Sequence, residues 1–224
     1  MIILSLETSG NVCGVALSND NQVIAEYSVK GNNLHDKLCA ELIRRVIGDF
    51  DLRISDIDAV AISSGPGSFT GLRIGASIAK ALCFKSDEDE IVPKLISVPT
   101  LTAYANNFLE NTNLVEKNKI LVAIKAQKDS LYYQTFDINN NISEIILEST
   151  ENFEKIDFSE YIKIGPYFQT DLNNSIDYNE YSARYIAKLA YQLFNSNQFV
   201  QPEKFTPLYI QEFKVKTNRK QLEI

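Results

Sequence analysis

The sequence has few of the side chains that bind transition metals or carry redox chemistry. Among its 224 residues are a single histidine, His35, and three scattered cysteines, Cys13, Cys39 and Cys83. A catalytic zinc site usually needs three protein ligands in which His or Cys is prominent. The composition therefore argues against a His-rich metalloenzyme, and we expect no metal site. Because the cysteines are odd in number and lie within apolar patterns, we expect buried thiols in a reducing cytoplasm.

Positively charged residues are also fewer than negatively charged ones. Lys and Arg number 22 against 29 Asp and Glu, for a net charge of -7. Binding to a phosphate backbone depends on clustered cations, so this chain is not expected to bind nucleic acid without a partner. The basic cluster KVKTNRK (214–220) is typical of a solvated tail, and a contact with nucleic acid is the alternative. No apolar run is long enough for a membrane span, and the start MIILSLE lacks the basic leader of a signal peptide.

The periodicity predicts an α/β protein with two related lobes. Three strands forming a meander are expected first, followed by alternating helices and strands, and then by a second group of strands and a last helix. We expect lobes at 1–104 and 105–205, with 206–224 packing back on the first. The predicted helices are 34–47, 70–84, one entered through Pro99 and Thr100, and 183–194. A strand is predicted at 57–62. An extended run is expected near 208–210, and a turn around 139–141 is expected between two strands of the second lobe.

A glycine-rich loop follows the strand 57–62, in the segment AISSGPGSFTGLRIGA (61–76). Unpaired N–H groups at a helix N-terminus attract anions, so the loop could be a phosphate cradle. However, the lysine of a P-loop is missing, G-x-G-x-x-G is not matched, and Pro66 has no N–H. The alternative is a tight strand-to-helix connection whose glycines adopt positive φ.

The helix after this loop carries Gly71, Gly75 and Ala79 at intervals of four. Glycine inside a helix costs about 1 kcal/mol relative to alanine, so two of them indicate a contact that needs the space. We expect close packing of this helix, either inside the fold or against a partner.

Two segments carry a family resemblance: ETSGNVCGVAL (7–17) and SSGPGSFTGLRIGASIAKAL (63–82). They resemble the TsaB (YeaZ) family, whose pattern G-P-G-S-F-T-G-x-R-x-G is present in full at 65–75. The family's P-x-Y is similar to Pro207–Tyr209. The second lobe matches mainly in layout.

The resemblance implies a two-lobed actin-like (ASKHA, ribonuclease H-like) fold and a role in making threonylcarbamoyladenosine at position 37 of tRNA. It implies a cytoplasmic, non-catalytic scaffold that pairs with the catalytic metalloprotein TsaD and with the ATPase TsaE. A homodimer is expected when the chain is isolated, and tRNA contact only through the complex. No cofactor is expected, although a nucleotide could bind at the subunit junction.

Two sets of site residues follow from the resemblance. The candidate interface lies on helices 34–47 and 70–84, and the candidate vestigial phosphate loop joins the first hairpin turn to the glycine loop. The interface set is Leu34, His35, Leu38, Leu42, Gly71, Arg73, Ile74, Gly75 and Ile78. The loop set is Glu7, Thr8, Ser9, Gly65, Gly67 and Ser68.

Some of these positions depart from the family pattern. Glu7 replaces the usual aspartate, so its carboxylate is displaced outward, and we expect it to cap backbone donors in the hairpin turn rather than hold Mg²⁺. Lys125–Gln127 replaces an Asp-Ala-Arg segment, which removes an arginine contact. His35, in the first turn of its helix, is expected at the surface or the interface.

Two enzymatic hypotheses stay open beside the scaffold. One is an ATP-dependent kinase or hydrolase of the same fold, with phosphates near Thr8, Ser9, Gly65 and Ser68. The other is a glycoprotease, for which neither a metal-bound water nor an activated nucleophile is visible in the sequence.

Overall fold

The computed structural model describes residues 1–84, 91–112, 119–137, 141–168 and 180–210. The basic segment 214–220, the acidic run 86–90 and most of the predicted turn at 139–141 lie outside these ranges. Within the described ranges, no helix combines the length and apolarity needed to cross a bilayer.

The first sheet has five strands in the order β3-β2-β1-β4-β5. The first three form the predicted antiparallel meander, and β4 and β5 continue the sheet parallel to β1. The strands β1 and β4, with sequences IILSLE and AVAIS, are buried on both faces, as their nearly continuous apolar character predicts. The strands are β1 (Ile2–Glu7), β2 (Val12–Asn19), β3 (Gln22–Lys30), β4 (Ala59–Ser63) and β5 (Lys94–Val98).

Two helices cover one face of this sheet and two cover the other. On one face, α1 and α2 bury Cys39, Val46 and Ala79 against strand residues such as Leu4 and Ile62. On the opposite face lie α3 and α5. The helices are α1 (His35–Asp49), α2 (Phe69–Leu82), α3 (Thr100–Asn111) and α5 (Ala183–Asn195), which agree with the predicted helices to within a few residues.

The second sheet repeats the first on a smaller scale. Its order β8-β7-β6-β9, with two antiparallel pairs and one parallel pair, matches β3-β2-β1-β4 in order and direction. This repeat confirms the predicted two-lobed α/β fold with repeated mixed sheets. Its strands are β6 (Lys119–Lys125), β7 (Ser130–Asp137), β8 (Ile146–Ser149) and β9 (Ile162–Ile164), and a single helical turn, α4 (Thr150–Phe153), follows β8.

A single apolar core joins the two sheets. It contains Ile3 and Ile96 from the first sheet, Val122 from the second, and Leu101 and Ile186 from α3 and α5. Helix α5 follows the second sheet in sequence but contacts all five strands of the first. Residue 104, the predicted end of the first lobe, lies inside α3, and the domain bounds stay a prediction.

The described part of the C-terminal segment, 206–210, has no regular secondary structure. The Leu208 N–H donates to the carbonyl of Ser64 at 2.8 Å, which brings this part of the segment onto the glycine loop of the first lobe. The expected packing of the whole of 206–224 stays a prediction.

Candidate functional site

The predicted phosphate loop lies at the carboxyl ends of the parallel strands β1 and β4. There the turn 8–11 between β1 and β2 meets the loop 64–68 between β4 and α2. The carboxyl edge of a parallel sheet is where open α/β folds commonly bind ligands. We call these two segments together the glycine joint.

The two segments of the glycine joint touch directly. The Ser68 N–H donates to the Ser9 carbonyl at 2.6 Å. A Cβ built on Gly67 would lie 2.4 Å from that same carbonyl oxygen, so only glycine fits. The turn and the loop therefore leave no room for a phosphate between Ser9 and Gly67.

Several N–H groups in and next to the glycine joint have hydrogen-bond partners within the chain. The Ser64 N–H donates to the Val98 carbonyl at 2.8 Å, and the Gly71 N–H to the Ser68 hydroxyl at 3.2 Å, which caps α2. The Thr8 N–H donates to the Ser63 hydroxyl at 3.2 Å. Gly65 has φ +102, as predicted for a tight strand-to-helix connection, whereas Gly67 has no positive φ and is needed for space instead.

The small residues of α2 face the first hairpin turn. A Cβ on Gly71 would lie 2.0 Å from the Thr8 carbonyl oxygen, and one on Gly75 2.2 Å from Thr8 Oγ1. The predicted close approach of this helix is therefore confirmed, and it occurs inside the fold. Gly71, Gly75 and Leu42 are buried within the chain itself, and their place in an interface stays a prediction.

Glu7 caps the hairpin turn, as predicted. One carboxylate oxygen accepts hydrogen bonds from the Ser9 N–H at 2.5 Å and from the Ser9 hydroxyl at 2.6 Å. Burial raises the pKa of Glu7 to about 7, against the opposing effect of hydrogen bonds from Ser9 and Ser63. The carboxyl is thus engaged with its own backbone turn.

An aromatic side chain closes the hairpin turn from the other side. Three ring atoms of Tyr181 lie within 2.3 Å of where a Cβ on Gly10 would be. Glu180, which precedes Tyr181, is held in place because the Tyr104 hydroxyl donates to the Glu180 carbonyl at 2.9 Å. Gly10 is required here because any side chain would displace the Tyr181 ring.

The expectation that His35 lies at the surface is wrong. The side chain is buried, and its Nε2 lies 3.2 Å from the Val12 carbonyl oxygen. This contact fixes the start of α1 on β2. Within the described ranges, no group of three His, Cys, Asp or Glu residues is arranged to hold a metal ion.

An apolar groove lies between α1 and α2 on the outer face of the first sheet, with a volume of about 470 Å³. Of the predicted interface residues, Ile78 lines it. Leu38 on α1, Ile74 on α2 and Leu34, which precedes α1, are half-buried but do not line the groove. Arg73 is exposed on the first turns of α2. The full lining is Ala40, Ile43, Arg44, Ile47, Gly48, Ile54, Ile78 and Leu82.

The predicted interface set lies on the two helices that form the groove, but only Ile78 of that set lines it. Ile43 and Ile47 are one turn apart on α1, and Leu82 is one turn beyond Ile78 on α2. The signal that could have found them is this i, i+4 continuation of the apolar stripe.

Residues 25–194 match the family model described as TsaD, tRNA N6-adenosine threonylcarbamoyltransferase. The TsaB protein of Buchnera aphidicola subsp. Acyrthosiphon pisum is 32% identical over 167 residues, which cover 69% of this chain and 71% of that protein. The chain belongs to the TsaB family. The TsaB of Bacillus subtilis is 27% identical over 163 residues, 73% of this chain and 66% of its own length.

TsaB proteins carry the name tRNA threonylcarbamoyladenosine biosynthesis protein. Among solved structures, YeaZ from Pseudomonas aeruginosa aligns with a TM-score of 0.73 at 21% identity, covering 93% of this chain and 99% of that one. A likeness at this identity shows the fold alone, and it agrees with the two-lobed architecture described above.

Proposed function

We propose that this TsaB-family chain is a cytoplasmic, non-catalytic subunit of a complex that makes threonylcarbamoyladenosine in tRNA. In this proposal, the chain docks onto a TsaD protein through the α1–α2 groove, the ATPase TsaE joins the assembly, and tRNA is contacted through the complex. The observation that carries the proposal is the groove itself, because it is an open apolar surface formed by two helices.

The groove has the chemistry of a protein interface. Its floor is aliphatic, with Ile47, Ile54 and Ile78 half-buried and therefore partly open to solvent. Arg44 at its edge is already paired with Glu41 at 2.7 Å, so the rim is polar. An apolar centre with a polar rim is the usual arrangement of a protein–protein interface.

A TsaD protein is the occupant that the homology favours. The family model that matches this chain is the TsaD model, and its match at residues 25–194 includes all of α1 and α2. A TsaD protein should then carry an equivalent helix pair. Two such pairs can pack face to face about a pseudo-twofold axis, and a second copy of this chain could use the same surface to form a homodimer.

The glycine joint supports a role without chemistry of its own. The Ser9 carbonyl contacts the loop where a phosphate would have to enter, and Glu7 accepts bonds from Ser9.

The test is Ile78→Asp, which places a carboxylate in the middle of the groove. We expect the affinity for TsaD, measured by isothermal titration calorimetry, to fall by about 100-fold or more, because a charge must be desolvated in an apolar interface. Threonylcarbamoyladenosine formation in a reconstituted mixture of tRNA, TsaD, TsaE and this chain should fall with it.

The matched control is Ile156→Asp, at an exposed isoleucine after α4. It should leave both the affinity and the modification reaction unchanged. Unaltered TsaD binding by a folded Ile78→Asp protein would contradict the proposed docking surface.

A further inference from the structure

The C-terminal segment 206–210 returns to the glycine loop and brings Tyr209 to the start of α2. The Leu208 N–H donates to the Ser64 carbonyl at 2.8 Å. The Leu208 carbonyl oxygen lies 3.0 Å from where a Cβ on Gly65 would be, so the segment packs directly against this glycine. Two short motifs that are far apart in the sequence, G-P-G-S-F-T-G-x-R and P-x-Y, therefore meet on one surface.

At this meeting point Arg73 is stacked on two aromatic rings. Its guanidinium carbon lies 4.0 Å from the centroid of the Phe69 ring and 5.9 Å from that of Tyr209. The two rings are themselves in contact, with centroids 4.9 Å apart. Stacking on aromatic faces leaves the edges of a guanidinium, which carry its N–H donors, free to bind a partner.

Arg73 differs from the other arginines that the structure describes. Arg44, Arg45, Arg53 and Arg184 each lie within 4.0 Å of a carboxylate oxygen of this chain. Arg73 is exposed and has no such ion pair among the described residues. Its planar group is thus packed against two rings, and no carboxylate of the described residues is paired with its charge.

We propose that Arg73, held by Phe69 and Tyr209, binds a carboxylate side chain of the TsaD partner. This inference rests on the proposed function, because Arg73 borders the stripe of Ile74, Ile78 and Leu82 that leads into the groove. A pre-positioned guanidinium loses little conformational freedom on binding and can pair with a carboxylate through two parallel hydrogen bonds. The stack therefore sets the register of the partner at the N-terminal end of α2.

A protein carboxylate fits this surface better than an RNA phosphate. RNA binding requires several cations along a path, and Arg73 is the one cation in the first two turns of α2, from Phe69 to Gly75. The surroundings are aromatic, and Tyr together with Arg is typical of the anchor positions of protein interfaces.

The test compares three variants in TsaD binding by surface plasmon resonance: Arg73→Ala, Arg73→Lys and Tyr209→Ala. We expect Arg73→Ala to weaken binding by at least about tenfold, mainly through faster dissociation. Arg73→Lys should restore only part of the loss, since lysine keeps the charge but cannot form the planar pair. Tyr209→Ala should weaken binding by about threefold, because it removes one side of the stack while leaving the charge.

The control is Lys163→Ala on β9, which removes an exposed cation from the second sheet and should leave TsaD binding unchanged. Binding within twofold of the parent chain for a folded Arg73→Ala protein would overturn the inference. An Arg73→Ala protein that loses only tRNA binding or self-association, and keeps TsaD binding, would also overturn the inference. If Ile78→Asp also leaves TsaD binding unchanged, the proposed function itself fails, and the two failures are thereby distinguished.

Discussion

At the scale of single residues, Glu7 links a buried charge to the stability of the glycine joint. Its carboxyl is 1% exposed, and burial raises its pKa from 4.5 to about 7. The folded protein therefore holds a proton on Glu7 that the unfolded chain releases between these two values. An acid with a raised folded-state pKa contributes stability that is full below about pH 4.5 and is lost as the pH rises through 7.

The variant Glu7→Gln should remove this titration. The free energy of unfolding of the variant, relative to the parent chain, should rise by roughly 3 kcal/mol between pH 4.5 and pH 8, from the 1.36 kcal/mol of each pKa unit. Urea unfolding at several pH values measures this difference. The exposed Glu203→Gln serves as the control and should show a constant difference across the same range. A flat profile for Glu7→Gln would show that burial does not shift this carboxyl.

At the scale of elements, each of the two helices of the proposed interface contains a glycine, and the two glycines differ in the space around them. Gly75 of α2 has no space for a methyl group, since a Cβ would lie 2.7 Å from Ile62 Cδ1 and 2.2 Å from Thr8 Oγ1. Gly48 of α1 has no neighbouring atom within 4 Å of such a Cβ. The same substitution in the two helices should therefore have opposite effects.

We expect Gly75→Ala to lower the free energy of unfolding by about 1–3 kcal/mol, because overpacking outweighs the gain in helix propensity. Gly48→Ala should instead raise it by about 0.5–1 kcal/mol. Urea unfolding followed by circular dichroism compares them directly. A stabilised Gly75→Ala protein would mean that α2 can move away from the hairpin turn without cost.

The positions of the helices and strands were largely predictable from the sequence, but which of their faces are exposed was not. Apolar spacing located α1 and α2 to within two residues at each end, because local periodicity determines a helix. It could not tell Leu42, which packs into the core, from Ile47, which lines the groove, since both belong to one apolar stripe. The burial of His35 was also missed, because it depends on a contact with the Val12 carbonyl of β2, which is distant in sequence. The contact of Tyr209 with Phe69 also depends on the tertiary fold.

At the scale of the whole molecule, the shared core predicts that the two sheets unfold together. Ile186 of α5 is 1% exposed and belongs to a cluster that includes residues of both sheets, such as Ile3 and Val122. Helix α5 is also tied to β3 by Arg184, which lies 3.3 Å from Glu26. Two lobes joined by this much common apolar surface should behave as one cooperative unit.

The variant Ile186→Ala tests this cooperativity. Removing a buried isoleucine side chain should lower the free energy of unfolding by about 2–5 kcal/mol. Native-state hydrogen exchange should then accelerate by the same factor in peptides from β1 and from β6, although these strands belong to different sheets. Ile156→Ala, at an exposed isoleucine, should change neither. Faster exchange confined to one sheet would mean that the lobes open separately, and a TsaD protein docked on α1 and α2 would then stabilise the first sheet without the second.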